Sequence, residues 1–140
     1  HALHTAALSM LEEPLVISHM DNCVLYDDVA FLPNWPGVPV GNEEGELIAG
    51  ALGNKRALLL AHHGLLVACS SIEEACLIAL AFERTARMQL LASAAGRIQP
   101  IEPVLAREAH DWILRVSRSA SAFAYYARRT LKQCSDCLLE

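Results

Sequence analysis

A chain of 140 residues is the size of one ordinary domain, and its 54% hydrophobic content is ample for a core, which excludes an intrinsically disordered protein. The net charge is -5, and Lys and Arg form no basic stripe, which excludes nucleic acid as the main partner. No apolar run reaches the roughly 20 residues that span a bilayer, and no segment resembles a signal peptide. We therefore expect a soluble, cytoplasmic protein without a membrane partner.

Five cysteines are an odd number without a framework, which argues against a secreted disulfide scaffold and favours a reducing compartment. Cys134 and Cys137 form a CxxC, but it has no second pair and lies in a polar tail, so we expect no metal or redox role for it. The chain starts at His1, and the residues that follow are patterned like the interior of a domain. We expect residues 1–140 to be the C-terminal part of a single domain whose N-terminal part lies upstream.

The first part of the chain predicts short elements separated by turns. Apolar residues between His4 and Leu11 recur at helical spacing, and Pro14 stops that helix. The β-branched run from Leu15 to Ser18 predicts a strand that leads into a polar turn, and Val24 to Phe31 predicts a second extended segment. Prolines and glycines then mark an irregular loop: Pro33, Pro36, Gly37, Pro39 and Gly41.

The rest of the chain predicts longer helices around two strands. Acidic residues open a helix after Asn42 that ends near Leu52, and Ala57 to Leu60 and Leu65 to Ala68 are adjacent buried strands. Ser70 or Ser71 can cap a long helix to Ala95, since each has a glutamate three residues on. Pro103 to about Leu131 is a final helix with four candidate packing positions: Trp112, Val116, Phe123 and Tyr126. Strands between helices indicate an α/β or α+β fold with helices covering a sheet.

Neighbouring histidines separate the two buried strands. In extended backbone, successive side chains alternate faces, so His62 and His63 cannot both face one metal unless the chain turns sharply there. Gly64 permits such a turn. One of the two histidines is a ligand candidate, and the alternative is an ordinary pair, one solvated and one hydrogen-bonded. The string alone leaves both interpretations open.

Histidine is the commonest protein ligand for zinc, and the chain has a second histidine pair at its start. A spacing of three puts His1 and His4 near one face if the segment is helical, so this pair could also hold a metal. An ordinary helix-terminal pair is an equally good interpretation of that spacing.

Three strings follow one another in a fixed order. His1 to Ala7 (HALHTAA) comes first, then Glu44-Gly45 before an alanine-rich helix, then the His-His-Gly string that continues as Gly64 to Ala75 (GLLVACSSIEEA). Together they resemble the class II aldolase/adducin family, and the resemblance runs from His1 to about Gly96. It implies a three-layer α/β/α sandwich with a largely antiparallel central sheet covered by helices.

On this resemblance, His1 matches the second histidine of the family's His-x-His metal pair, and His63 matches its distal metal histidine. The first histidine of that pair, the loops that grip substrate phosphate and the acid/base glutamate would lie upstream of His1. The resemblance therefore implies part of a metal site, with Zn²⁺ as first choice and Mn²⁺, Co²⁺ or Fe²⁺ as alternatives.

One position departs from the pattern of the sugar-phosphate aldolases. In those enzymes a catalytic tyrosine follows a histidine about where this chain reads His19-Met20-Asp21, and Met20 cannot donate a proton. His19, Asp21 or Tyr26 could replace that tyrosine. The alternatives are a turn-capping Asp21 and a packed Tyr26.

The resemblance implies a metal-dependent lyase that cleaves a carbon–carbon bond in a small sugar-like or sugar-phosphate-like hydroxy-carbonyl substrate through a metal-stabilised enediolate. A metal-dependent sugar-phosphate epimerase and a non-catalytic adducin-like interaction module are the alternatives. The resemblance also implies a homotetramer with the site at a subunit boundary, and the apolar composition favours self-association. In that assembly Tyr125 or Tyr126 would donate the proton that Met20 cannot.

Overall fold

The computed structural model describes residues 1–35, 37–38, 41–115, 119–134 and 136. The elements of this part of the chain are listed here in chain order: α1 (Leu3–Ser9), a 3₁₀ helix (Met20–Leu25), β1 (Val29–Leu32), α2 (Glu43–Leu52), β2 (Ala57–Leu60), β3 (Gly64–Val67), α3 (Ile72–Ala95), α4 (Pro103–Arg115) and α5 (Ser119–Gln133). They confirm an α/β protein. None of the described helices is both long enough and apolar enough to cross a membrane.

The sheet has three strands in the order β1-β2-β3 and is mixed. β2 runs parallel to β1, with Val29 opposite Ala57, and antiparallel to β3, with Leu60 opposite Gly64. The segment between β1 and β2 is long enough to carry α2 back across the sheet, which permits a parallel pair, whereas the short turn after β2 produces an antiparallel pair. The expectation of a largely antiparallel sheet is therefore wrong for the described strands.

Helices cover both faces of β2. Ala57 and Leu59 share one core cluster with residues of α1, the 3₁₀ helix and α3: Leu8, Leu25, Ile78, Phe82 and Ala86. Leu58 and Leu60 belong to a second cluster, packed against α2 through Ile48, Ala51 and Leu52. Successive side chains of a strand point to opposite faces, so a central strand covered on both sides must be apolar throughout. That is why β2 was predictable to the residue.

Of the two extended segments predicted near the start of the chain, the first is wrong and the second is confirmed only in its last part, as β1. Leu15 to Ser18 is not a strand, because its backbone bonds outside the sheet: the Val16 N–H donates to Gln89 Oε1 at 2.8 Å, and the Ile17 carbonyl accepts from the Ile101 N–H at 2.8 Å. The second segment is divided, since the 3₁₀ helix continues to Leu25 before β1 begins. The local hydrophobic pattern does not indicate that Leu15 to Ser18 bonds to Gln89 and Ile101.

The predicted helix boundaries are closer to the structure. α1 ends at Ser9 rather than at Leu11. α3 begins with Ser71 as its cap, since Ser71 Oγ accepts the Glu74 N–H at 3.2 Å. The predicted final helix is described in two parts, α4 and α5, and residues 116–118 between them lie outside the described residues.

Packing on these last helices differs from the prediction. Phe123 is partly buried, but Trp112 is 65% exposed and Tyr126 is 40% exposed, so neither of these two lies in the core. Four residues named in the sequence analysis lie outside the described residues: Pro36, Pro39, Val116 and Cys137.

Candidate functional site

Two imidazole rings stack at one end of the sheet. His1 stands two residues before α1, and His63 stands in the turn between β2 and β3. Their ring centroids are 5.4 Å apart with the planes inclined by 18°, and both side chains are exposed. Because zinc–nitrogen bonds are about 2.0–2.1 Å, two ligands of one ion must lie this close together. The structure thus brings together the two residues predicted to bind metal.

The turn that carries His63 gives its neighbour a different environment. His62 has a φ of +58° and Gly64 a φ of +137°, a left-handed region that glycine adopts without cost. His62 Nε2 lies 2.6 Å from Glu12 Oε1, and the His62 N–H donates to the Ser9 carbonyl at 3.0 Å. His62 is therefore engaged by the end of α1 and the residues that follow it, while His63 stacks on His1.

Paired imidazoles are a donor set that suits Zn²⁺ and other first-row divalent cations. Within the described ranges, however, no group of three or more His, Cys, Asp and Glu side chains is placed to hold a metal ion. His1 and His63 would supply two of the ligands of such a site. The remaining protein ligand of a catalytic site would come from outside the described residues.

His4, the other histidine of the first pair, bonds to a carboxylate of α3. Glu83 Oε1 accepts the His4 N–H at 2.9 Å and lies 2.7 Å from His4 Nδ1. Glu83 Oε2 accepts the Thr5 N–H at 2.9 Å and the Thr5 hydroxyl at 2.8 Å. The arrangement corresponds to the alternative given for His4, a histidine held at a helix terminus.

These donors set the ionisation of Glu83. Burial raises the pKa of its carboxyl, but hydrogen bonds from the backbone of His4 and from Thr5 outweigh burial and lower the pKa to about 2. Hydrogen bonds to the charged form favour that form. Glu83 is thus a carboxylate at neutral pH.

His19 and Asp21 lie at the start of the 3₁₀ helix. His19 Nδ1 accepts the Asp21 N–H at 3.2 Å, so His19, not Asp21, is the turn cap. Asp21 Oδ2 accepts from an Arg84 side-chain nitrogen at 2.9 Å. Tyr26 packs beneath Arg107, whose guanidinium carbon lies 4.9 Å from the ring centroid, as the alternative of a packed ring predicts.

Asp21 and Tyr126 line one cleft of about 250 Å³ between the 3₁₀ helix, α3 and α5, together with Arg84. Tyr125 lines a different cavity among polar and basic side chains of α5: Arg128, Arg129, Lys132 and Gln133. The two tyrosine rings meet edge to face with centroids 5.3 Å apart. The structure therefore brings two of the four predicted catalytic residues to one cleft, and His1 and His63 are not among the described residues that line it.

The sequence analysis did not predict two of these residues, Glu83, which contacts α1, and Arg84, which contacts Asp21. No local pattern indicates Glu83, because its neighbour Arg84 is exposed while Phe82 and Thr85 are buried, and its hydrogen-bond donors come from the start of α1.

The sequence matches the family model described as Class II Aldolase and Adducin N-terminal domain over residues 1–90. The chain therefore belongs to the class II aldolase and adducin family. L-fuculose phosphate aldolase from Escherichia coli O6:H1 is 33% identical over 109 residues, which cover 77% of this chain and 48% of that protein. Decarboxylase NovR from Streptomyces niveus is 27% identical over 107 residues, which cover 76% of this chain and 40% of that protein.

A solved structure has the same fold. L-fuculose 1-phosphate aldolase from Glaciozyma antarctica PI12 aligns with a TM-score of 0.78 and 32% identity, covering 96% of this chain and 50% of that chain. The chain thus spans half or less of the length of these relatives.

Proposed function

We propose that the protein is a metal-dependent lyase of the class II aldolase type, which cleaves a carbon–carbon bond in a small hydroxy-carbonyl substrate. The observation that carries this proposal is the pair of stacked rings, His1 and His63. Family membership supports the lyase class, and relatives named L-fuculose phosphate aldolase support a sugar-like or sugar-phosphate-like substrate.

In this proposal His1 and His63 hold a divalent cation, with Zn²⁺ as first choice and Mn²⁺, Co²⁺ or Fe²⁺ as alternatives. When bound, the cation supplies Lewis acidity for the negative charge that develops on substrate oxygens as the bond breaks. His62 takes no part, because its ring is engaged by Glu12. Both metal-binding side chains are exposed, so substrate can reach them.

A proton donor must complete the reaction. Tyr126 is the first candidate, because it lines a cleft that also contains charged side chains. Its ring lines the same cleft as Asp21 and Arg84 and is 40% exposed. Tyr125 is 54% exposed and is the second candidate. In the proposed tetramer either residue would act on the metal site of a neighbouring subunit.

The relative named a decarboxylase shows why the substrate should be tested broadly. Decarboxylation also breaks a carbon–carbon bond, and that relative covers 76% of this chain. Aldol cleavage remains the proposal because two relatives and a solved structure carry an aldolase name. Decarboxylation and epimerisation are outcomes of the same experiment.

The experiment joins metal analysis to a substrate panel. The purified full-length protein is assayed for metal by inductively coupled plasma mass spectrometry, then incubated with phosphorylated and unphosphorylated hydroxy-carbonyl compounds. We expect a stoichiometric divalent metal and release of a small aldehyde, both lost with EDTA and restored by Zn²⁺.

Each other result identifies a different function. Release of carbon dioxide would replace the aldolase with a decarboxylase, and inversion of a stereocentre without fragments would replace it with an epimerase. Protein that binds no metal would overturn the proposal in favour of an adducin-like interaction module.

A further inference from the structure

We propose that Glu83 is a positioning residue for the histidine pair: from α3 it anchors the start of α1 and so sets where His1 stands relative to His63. As a statement about a metal site, this inference rests on the function proposed above. Its structural part, the placement of the two rings, does not depend on bound metal.

The contacts of Glu83 are concentrated on two consecutive residues. Both of its oxygens are used: one accepts the His4 N–H and contacts the His4 ring, and the other accepts the N–H and the hydroxyl of Thr5. Thr5 is fully buried. A carboxylate held in this way is committed to α1, so Glu83 acts through the backbone rather than on substrate.

α1 needs such an anchor. It has seven residues, no side-chain cap at Ala2 and no acidic residue in its first turn. A helix this short is unstable alone, and its first N–H groups have no partner within the helix. Glu83 supplies those partners from another element, although it lies 79 residues from His4 in the chain.

The anchor lies close to His1 in the chain. Only Ala2 and Leu3 separate His1 from His4, and three residues of chain reach at most about 11 Å. The other end of α1 is tied to the β2–β3 turn, where the His62 N–H donates to the Ser9 carbonyl at 3.0 Å. α1 is thus fixed to α3 at one end and to the turn that carries His63 at the other.

The test compares Glu83→Gln with Glu74→Gln. Glu74 is a matched control, because it is also on α3 and also accepts side-chain hydrogen bonds, from Arg56 and Ser70. The two glutamates are nine residues apart, about 13 Å along the helix axis. Glutamine lacks the second oxygen that accepts from Thr5, so the first variant weakens the anchor while the second variant weakens a distant network.

The first readout is the nuclear Overhauser effect between the His1 and His63 ring protons in metal-free protein. The second readout is Co²⁺ affinity, followed by visible absorption. We expect Glu83→Gln to lose the ring contact and to weaken Co²⁺ binding by about tenfold or more, the range found when residues that orient a ligand are changed. Glu74→Gln should keep both, even if it lowers stability as much.

A second variant covers the case in which Glu83→Gln does not fold. Thr5→Val keeps the volume of the side chain but removes one hydroxyl donor, so it should produce the same changes at smaller size. Retention of the ring contact and of wild-type Co²⁺ affinity in either folded variant would overturn the positioning role. Absence of a nuclear Overhauser effect between the His1 and His63 rings in the wild-type protein would also overturn the positioning role.

The two proposals fail in different ways. A wild-type protein that binds no Co²⁺, but whose ring contact is lost in Glu83→Gln, would remove the metal function and keep the positioning role. If wild type, Glu83→Gln and Glu74→Gln all bind Co²⁺ with the same affinity, the metal function is kept and the positioning role is removed.

Discussion

Arg56 joins the start of β2 to the start of α3 by donating to Glu74 Oε1 at 2.7 Å. The same guanidinium pairs with Asp28, at the residue before β1. The three side chains are only 19%, 28% and 15% exposed, for Arg56, Glu74 and Asp28 respectively. Hydrogen bonds from Arg56 and Ser70 lower the pKa of the Glu74 carboxyl. One guanidinium therefore holds two strands and a helix together.

Replacing Arg56 should destabilise the protein, because it leaves two carboxylates without a cation. We expect Arg56→Ala to lower the free energy of unfolding by about 2 kcal/mol, less than the ~3–5 kcal/mol of a fully buried pair because these groups are partly exposed. Arg56→Lys should recover only part of this, since lysine lacks the planar fork that reaches both partners. Urea unfolding at pH 7 gives the free energy of unfolding of both variants. A lysine variant as stable as wild type would show that the planar guanidinium is not needed to hold both carboxylates.

Stability should depend on pH through Glu83. Its pKa is about 2 in the folded protein and 4.5 ordinarily, so the unfolded chain binds the proton first as the pH falls. The contribution of this carboxylate is fully present above about pH 4.5 and is lost as the pH falls to about 2. We expect wild type to exceed Glu83→Gln by about 1–3 kcal/mol at pH 6 and by much less at pH 2.

Thermal unfolding of the two proteins across this pH range gives the comparison. The other carboxylates titrate in both proteins, so the difference between the two curves isolates Glu83. A difference that stayed constant from pH 6 to pH 2 would show that Glu83 does not act through its charge.

The two histidines of the β2–β3 turn should respond differently to the same substitution. His63→Ala removes one ring of the stacked pair, so we expect loss of bound metal and of turnover. His62→Ala removes a ring that contacts Glu12 at an exposed position, so metal content should stay near wild type. Metal analysis of both variants, with circular dichroism to show that they fold, makes the measurement. Metal content near that of wild type in folded His63→Ala would remove His63 from the site.

The elements that were predictable from sequence are those whose pattern is local. β2 is buried on both faces and therefore apolar throughout, and α3 carries its own cap in Ser71. The segment from Leu15 to Ser18 has the composition of a strand, but it bonds to Gln89 and Ile101 instead of to a strand. Those partners lie more than 70 residues away, so no local pattern could indicate them.

The same distinction applies to the site. That His62 and His63 face different partners could be predicted from strand alternation, and Gly64 permits the sharp turn that follows them. The role of Glu83 could not be predicted from the sequence, because it depends on α3 crossing the start of α1. His19 was predicted as a catalytic candidate, and its capping of the 3₁₀ helix was visible only when the backbone of Asp21 was placed.

An exposed apolar cleft bears on the predicted oligomer. Met20, Leu105 and Trp112 line a cleft of about 660 Å³ against α4, and they are 67%, 57% and 65% exposed. Clustered apolar side chains of this kind favour association with another protein surface. We expect Trp112→Glu to lower the mass in light scattering from that of a tetramer, while Ile72→Glu should keep it. Ile72 is also exposed, at 75%, but it lies in the first turn of α3, where an acidic residue is favourable.

The last prediction is that the tetramer is needed for proton donation, with Tyr126 as the donor. Tyr126→Phe removes only the phenol, so we expect unchanged mass and metal content but turnover lower by about a hundredfold or more, the range for loss of a general acid. Tyr125→Phe is the matched control on the adjacent residue, and its cavity is separate from the cleft of Asp21. A larger loss in Tyr125→Phe would transfer the donor role to Tyr125, and wild-type turnover in both variants would remove it from α5. A monomer mass for the active wild-type protein at micromolar concentration would exclude the shared site altogether, because no neighbouring subunit would then be present to donate.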